Sequence, residues 1–155
     1  MRCGFVAMLF SMLIALAAFA PSTACADVTV DNETALQQAL NDGGEVTLSA
    51  SITGSVTVPS GTTVTLNLNG YTLTAAQKYA AITNNGTLTI TGSGTVDGSN
   101  LSQTAAIYNA PSGVANLNGG TFTGSKWYVI KNLGSMTIDG ASVVQSDAGS
   151  SAIDN

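Results

Sequence analysis

An all-β chain wound as a parallel β-helix solenoid is predicted by three observations. A tetrad ending in asparagine occurs four times: Ala-Ile-Thr-Asn84, Ala-Ile-Tyr-Asn109, Val-Ile-Lys-Asn132 and Ala-Ile-Asp-Asn155, at spacings of 25, 23 and 23 residues. A repeat of that length carried by strand-forming residues means one coil per repeat, each stacked on the last. From Glu45 onward, apolar residues alternate with polar ones in short runs bounded by Gly, Ser, Asn or Pro, which is the pattern of half-buried strands. Aligning the repeats on Gly70, Gly92, Gly119 and Gly140 then gives apolar columns. Leu66, Leu88, Ala115 and Met136 fall in one, and Leu68, Ile90, Leu117 and Ile138 in a second. Leu73, Val96, Phe122 and Val143 form a third, and Ile82, Ile107, Ile130 and Ile153 a fourth. Side chains that stack on their own kind at about 4.8 Å fill a continuous bore while backbone groups pair between neighbours. About four to five coils of roughly 23 residues are expected over 45–155, with the chain stopping at the fourth tetrad and so apparently truncated.

The first 26 residues read differently. Arg2 supplies a positive start, Phe5 to Ala20 an apolar stretch, Pro21 a break, and Ala24-Cys25-Ala26 a small-residue cleavage site, together a secretory signal peptide over 1–26. A membrane anchor would need about 20 apolar residues and usually flanking charge. Cys25 also permits an acylated lipoprotein, but Ser22-Thr23-Ala24 lacks the expected aliphatic residue upstream. Cleavage after Ala26 removes Cys3 and Cys25, leaving no disulfide or thiol chemistry and no membrane span in the mature chain. The expected location is extracellular, secreted or at a bacterial cell surface.

Residues 27–44 should form an N-terminal cap with a helix over 32–40. Ala35, Leu36, Ala39 and Leu40 share one stripe, Asn32 can cap the free amides, Glu33 suits the first turn, and Gly43-Gly44 can end the helix. Beyond it, Asn84, Asn109, Asn132 and Asn155 lie two residues after inward-facing isoleucines, so they are expected to point inward as a structural ladder, each amide donating to the next coil and accepting from the last.

These features, with the Asn132-Leu133-Gly134 turn, resemble the right-handed parallel β-helix superfamily of pectin lyases. Val56-Thr57-Val58-Pro59-Ser60-Gly61, followed by Leu66-Asn67-Leu68-Asn69-Gly70, is further similar to the β-helix modules of bacterial surface and adhesin-like proteins. The resemblance implies a right-handed coil and a choice of roles, since the fold hosts lyases, hydrolases, adhesins and phage tail proteins.

Composition narrows those roles. Past the signal stand three lysines and nine acidic residues, a net charge of −6, with no Arg and no His. Nucleic acid is disfavoured, as is acidic polysaccharide without a bridging cation. A glycosidase needs two carboxyls roughly 5 to 10 Å apart, yet each acid stands alone in its column. Asp97 shares its column with Thr123 and Val144, Asp139 with Asn118, Thr91 and Asn69, and Asp154 with Lys131, Tyr108 and Thr83. No catalytic, cofactor-binding or metal residues are expected. The outward column Asn67, Thr89, Asn116 and Thr137 is too mixed for an ice-binding threonine array.

One outward face carries varied chemistry. Tyr79 and Trp127 fall in one column two coils apart, with Tyr108 and Lys131 beside them. Such aromatics either pack across coils or offer a platform for sugar rings. The expected function is a secreted or surface-displayed binding or structural module, its partner a neutral glycan or cell-surface ligand, with self-association through the last coil. The alternative is the N-terminal part of a polysaccharide lyase or glycoside hydrolase whose catalytic coils follow.

Overall fold

A computed structural model describes residues 27–155. The segment read as a signal peptide, with Cys3 and Cys25, lies outside the described residues. The chain enters as β1 (Val28–Val30), crosses the end of the solenoid as α1 (Glu33–Asp42), and then winds through five coils of three strands each. The first coil is β2 (Gly44–Leu48), β3 (Ile52–Thr53) and β4 (Val56–Val58); the second is β5 (Thr63–Asn67), β6 (Thr72–Thr74) and β7 (Tyr79–Asn84). The third is β8 (Thr87–Thr91), β9 (Thr95–Asp97) and β10 (Thr104–Asn109); the fourth is β11 (Val114–Leu117), β12 (Thr121–Gly124) and β13 (Ile130–Asn132). The fifth is β14 (Ser135–Ile138), β15 (Ser142–Gln145) and β16 (Ile153–Asp154).

Every pairing is parallel and joins a strand to its counterpart one coil away, giving three sheets: β1-β2-β5-β8-β11-β14, then β3-β6-β9-β12-β15, then β4-β7-β10-β13-β16. The inward residues form the core, with Val46, Leu66, Leu73, Ile82, Ile90, Ile107, Phe122 and Ile130 all essentially fully buried. Two of the expected columns stand in register: Ile52–Leu73–Val96–Phe122–Val143 in the second sheet and Val56–Ile82–Ile107–Ile130–Ile153 in the third, each extended by one residue of the first coil.

The other two columns need correction. In the first sheet Val64 pairs with Leu88 and Leu66 with Ile90, a slip of two residues from the glycine alignment. Leu66 therefore shares its column with Ile90, Leu117 and Ile138, and Val64 with Leu88, Ala115 and Met136. Gly70 and Gly92 are not equivalent: the Gly70 amide donates to Ser93 O at 2.6 Å, and the Leu68 amide to Thr91 O at 3.0 Å. Ladder hydrogen bonds set the register, and corners of unequal length absorb the difference. A slip of two keeps each side chain on its face, so the core survives the error. The outward column becomes Thr65–Thr89–Asn116–Thr137, and Asn67, not Asn69, stands in the column of Thr91.

The helix also differs at its ends. Asn32 caps it, accepting from the Ala35 amide at 3.0 Å, and it continues to Asp42, where Gly43 turns the backbone at φ 78°. Only glycine takes that conformation without strain. Leu36, Ala39 and Leu40 close the bore. Two polar side chains replace the strand that β4 lacks on this side. Gln37 accepts from the Thr57 amide and donates to its carbonyl, both at 2.8 Å, and Glu33 accepts from the Ser55 amide at 2.9 Å. At the other end, β14, β15 and β16 each pair on one side, and Leu133, Ile138, Val144 and Ile153 are exposed.

Candidate functional site

The corner between the second and third sheets is where the coils differ most. It runs from Thr53 to Val56 in the first coil, from Thr74 to Tyr79 in the second, Asp97 to Thr104 in the third, Gly124 to Ile130 in the fourth and Gln145 to Ile153 in the fifth. Length variation gathered at one corner of a solenoid marks a face free to acquire function. This corner carries Lys78, Tyr79, Lys126, Trp127 and Tyr128, and the adjoining third sheet presents the outward column Thr57–Thr83–Tyr108–Lys131–Asp154.

Its backbone is unusual. Tyr79 (φ 87°), Gln103 (φ 58°) and Lys126 (φ 61°) have positive φ without being glycine, on three successive coils at or shortly before the point where the chain enters the third sheet. Each costs of order 1 kcal/mol or more and persists only where the surroundings impose it. Here the Tyr79 amide donates to Gln103 O at 3.2 Å, pinning the turn that leaves the Tyr79 ring 71% exposed. A second irregularity follows. The amides of Ala106 and Ile107 both donate to Val129 O, and those of Val129 and Ile130 both to Ala152 O. This bulge-like sharing breaks strict alternation, so Ala81, Ala106 and Val129 are buried alongside their isoleucine neighbours.

Tyr79, Thr83, Tyr108, Trp127 and Lys131 line one shallow groove of about 450 Å³. The structure thus brings together all four residues read from the sequence as glycan contacts, and adds Thr83 to them. Trp127 packs on Tyr128 with ring centroids 5.3 Å apart and planes tilted by 41°. Gln145 Nε2 donates to the Trp127 carbonyl at 2.5 Å, fixing that loop to the fifth coil. Lys131 Nζ lies 5.3 Å from the centre of the Tyr128 ring and is ion-paired with Asp154. The hydrogen bond to Asp154 raises the ammonium above its ordinary value, against a smaller desolvation effect. Its charge is met within the protein, so the groove floor is mainly aromatic with a neutralised ion pair at one edge. Thr83, Tyr128 and Asp154 are the neighbours that sequence reasoning left out of the site; Thr83 and Asp154 were legible as column neighbours of Tyr108 and Lys131, whereas Tyr128 lies in the irregular corner beside Trp127.

The asparagine ladder is inside the coil, away from this groove. Asn84 Nδ2 donates to Asn109 Oδ1, Asn109 Nδ2 to Asn132 Oδ1, and Asn132 Nδ2 to Asn155 Oδ1, each at 2.8 Å. Asn84 and Asn109 are fully buried. The ladder also ties the turns: Asn84 Nδ2 donates to Val114 O at 3.0 Å, and Asn109 Nδ2 to Ser135 O at 3.0 Å.

Asp97 lies on the second sheet, in the column Thr53–Thr74–Asp97–Thr123–Val144. Burial pushes its carboxyl up, but hydrogen bonds from Ser99 and Thr123 outweigh that and hold it below the usual value. The Thr123 hydroxyl donates at 2.7 Å and the Ser99 amide at 2.8 Å. Among the described residues no cluster of three His, Cys, Asp or Glu could hold a metal ion, and no helix is long and apolar enough to cross a membrane. No protein-family model matches this chain, and neither a curated protein nor a solved structure is significantly similar to it.

Proposed function

We propose that this protein is a secreted or surface-displayed binding module whose groove stacks the faces of a neutral glycan, without cleaving it. The observation that carries this reading is the convergence of Tyr79, Tyr108 and Trp127 from three successive coils on one groove. Pyranose faces are apolar enough to pack on aromatic rings, and the hydroxyls at their rims suit Thr83 and the tyrosine O–H groups. Two coils span about 10 Å at the strand spacing, so a short oligosaccharide lying along the solenoid axis would touch rings at both ends. A net charge of −6 past the signal and a lysine already paired with Asp154 favour an uncharged ligand. The pectin-lyase-like assignment, the bacterial surface location and the adhesin-like role belong to this proposal and rest on the sequence resemblance and the amino-terminal signal.

The test is retention on immobilised neutral polysaccharide. Trp127→Ala and Tyr79→Ala should each abolish retention while far-ultraviolet dichroism and the melting temperature stay close to those of the parent. Retention that survives both substitutions overturns the groove, and release of unsaturated or reducing sugars overturns the non-catalytic reading. One observation favours the rival polysaccharide lyase or hydrolase reading: Lys78, Lys126 and Lys131, every lysine in the chain, lie at or beside this one corner. Stronger retention on an acidic than on a neutral polysaccharide would select it.

A further inference from the structure

The sequence contains three Asn-Gly pairs, Asn69-Gly70, Asn85-Gly86 and Asn118-Gly119, all in corners of the solenoid. Such a pair can convert itself: the glycine nitrogen attacks the asparagine side-chain carbonyl. The reaction needs a nitrogen free to lose its proton and a side-chain amide free to swing over the following peptide. These requirements separate the three sites.

At Asn69 both groups are occupied. The Gly70 amide donates to Ser93 O at 2.6 Å, and Asn69 Nδ2 donates to Leu48 O at 3.0 Å. At Asn85 the Gly86 amide donates to the ladder residue Asn84 at 3.2 Å. Gly86 is also packed from two sides, a Cβ there lying 2.4 Å from Pro59 O and 2.6 Å from Thr62 O. At Asn118 the reacting groups themselves are unbonded. Its side chain is exposed and makes no hydrogen bond among the described residues, nor does the Gly119 amide. The peptide is held from outside the reacting atoms, by the Asn118 amide on Ile90 O at 2.9 Å, the Thr121 amide on Gly94 O at 2.8 Å and the Ser142 amide on Gly120 O at 3.0 Å.

We infer that Asn118 is a self-modification site, at which the folded protein selectively converts asparagine to aspartate and isoaspartate. The Gly119 nitrogen gives its proton to solvent base and bonds to Asn118 Cγ. The Cγ–Nδ2 bond breaks and Nδ2 leaves as ammonia, taking up a proton. The resulting five-membered imide adds one water at either carbonyl, yielding aspartate or its β-linked isomer. No catalyst or cofactor is required, and the rate rises with pH because the attacking nitrogen must be deprotonated.

The position gives the change a structural consequence. The register of β11 with β14 places Asn118 beside Asp139, whose amide donates to Leu117 O at 2.9 Å. A carboxylate at 118 would face the Asp139 carboxylate one strand spacing away with no cation in that column, and like charges so placed are destabilising. The β-linked isomer adds a backbone carbon to a corner where Gly119 already stacks closely on Gly92, so that a Cβ on Gly119 would lie only 2.7 Å from Gly92 O. Both products loosen the fifth coil.

The experiment is prolonged incubation of the folded protein at mildly alkaline pH, with peptide mapping by mass spectrometry and enzymatic labelling of isoaspartate, beside a sample kept unfolded in urea. The expected result is loss of Asn118 alone in the folded sample, with Asn69 and Asn85 retained when half of Asn118 has converted, and conversion at all three pairs in urea. Asn118→Thr should remove the folded-state signal. Conversion of Asn69 or Asn85 as fast as Asn118 in the folded protein would overturn the inference, as would an intact Asn118 under conditions that convert all three in urea.

Discussion

Replacing Asn109 with leucine removes one rung of the ladder while roughly conserving volume. In the native coil the Asn109 side chain accepts from Asn84 at 2.8 Å and donates to Asn132 at 2.8 Å, Ser135 O at 3.0 Å and Gly113 O at 3.2 Å. Two amide hydrogens serve three acceptors, so the loss amounts to about three hydrogen bonds at roughly 1 kcal/mol each. Partial rescue is available: Asn84 Nδ2 retains Val114 O, the Gly113 carbonyl still receives the Ser135 amide at 3.0 Å, and half-buried Asn132 can recruit water. A cost of about 2 to 4 kcal/mol follows, or a fall of roughly 10 °C in melting temperature for a chain of this size. Asn109→Asp keeps the acceptor but points a carboxylate at two carbonyls, so it should be worse than leucine at neutral pH and recover partly in acid, where the protonated group regains a donor. Outward Asn116 makes no side-chain hydrogen bond among the described residues, and Asn116→Thr should change stability by less than about 0.5 kcal/mol. Thermal melts of the four proteins by circular dichroism decide the matter. Equal shifts for Asn109→Leu and Asn116→Thr, or a penalty below about 1 kcal/mol for the former, would refute the buried ladder as a source of stability.

Three other outcomes are expected. Asp97 titrates below its ordinary value in the folded protein, so its contribution is fully present above about pH 3.8 and is lost as pH falls further; Thr123→Val should flatten that acid limb in a pH series of urea midpoints. Lys131 is shifted up by its hydrogen bond to Asp154, so its contribution is present below pH 10.5 and disappears as pH rises beyond it, and Lys131→Met should remove this alkaline component while leaving the neutral-pH melting temperature nearly unchanged. Asn32→Ala should cost about 1 kcal/mol through the lost cap, and Leu36→Ala about 2 to 5 kcal/mol because it opens the bore beneath α1; both are read as urea midpoints, and a larger loss for Asn32→Ala would contradict the lid geometry.

Repetition made most of the architecture legible in the sequence. A tetrad returning every 23 to 25 residues leaves little choice but parallel stacking, and a period of two decides which side chains face inward. The isoleucine and Leu73–Phe122 columns, and the inward asparagines, follow from those two periods alone because each of the later coils contributes an apolar residue, or an asparagine, at the same place in the repeat. The register of the first sheet did not follow, since Gly70 and Gly92 look alike in sequence yet occupy different corner positions, and a slip of two leaves every inward residue inward. The groove needed still more. Tyr79, Tyr108, Trp127 and Lys131 could be placed on one face by counting, but the exposure of Tyr79, the packing of Tyr128 on Trp127 and the neutralisation of Lys131 by Asp154 depend on left-handed residues and shared hydrogen bonds at the corner. Periodicity determines what repeats from coil to coil; where the coils differ, only contacts between neighbouring coils select the conformation, and that is where the candidate site lies.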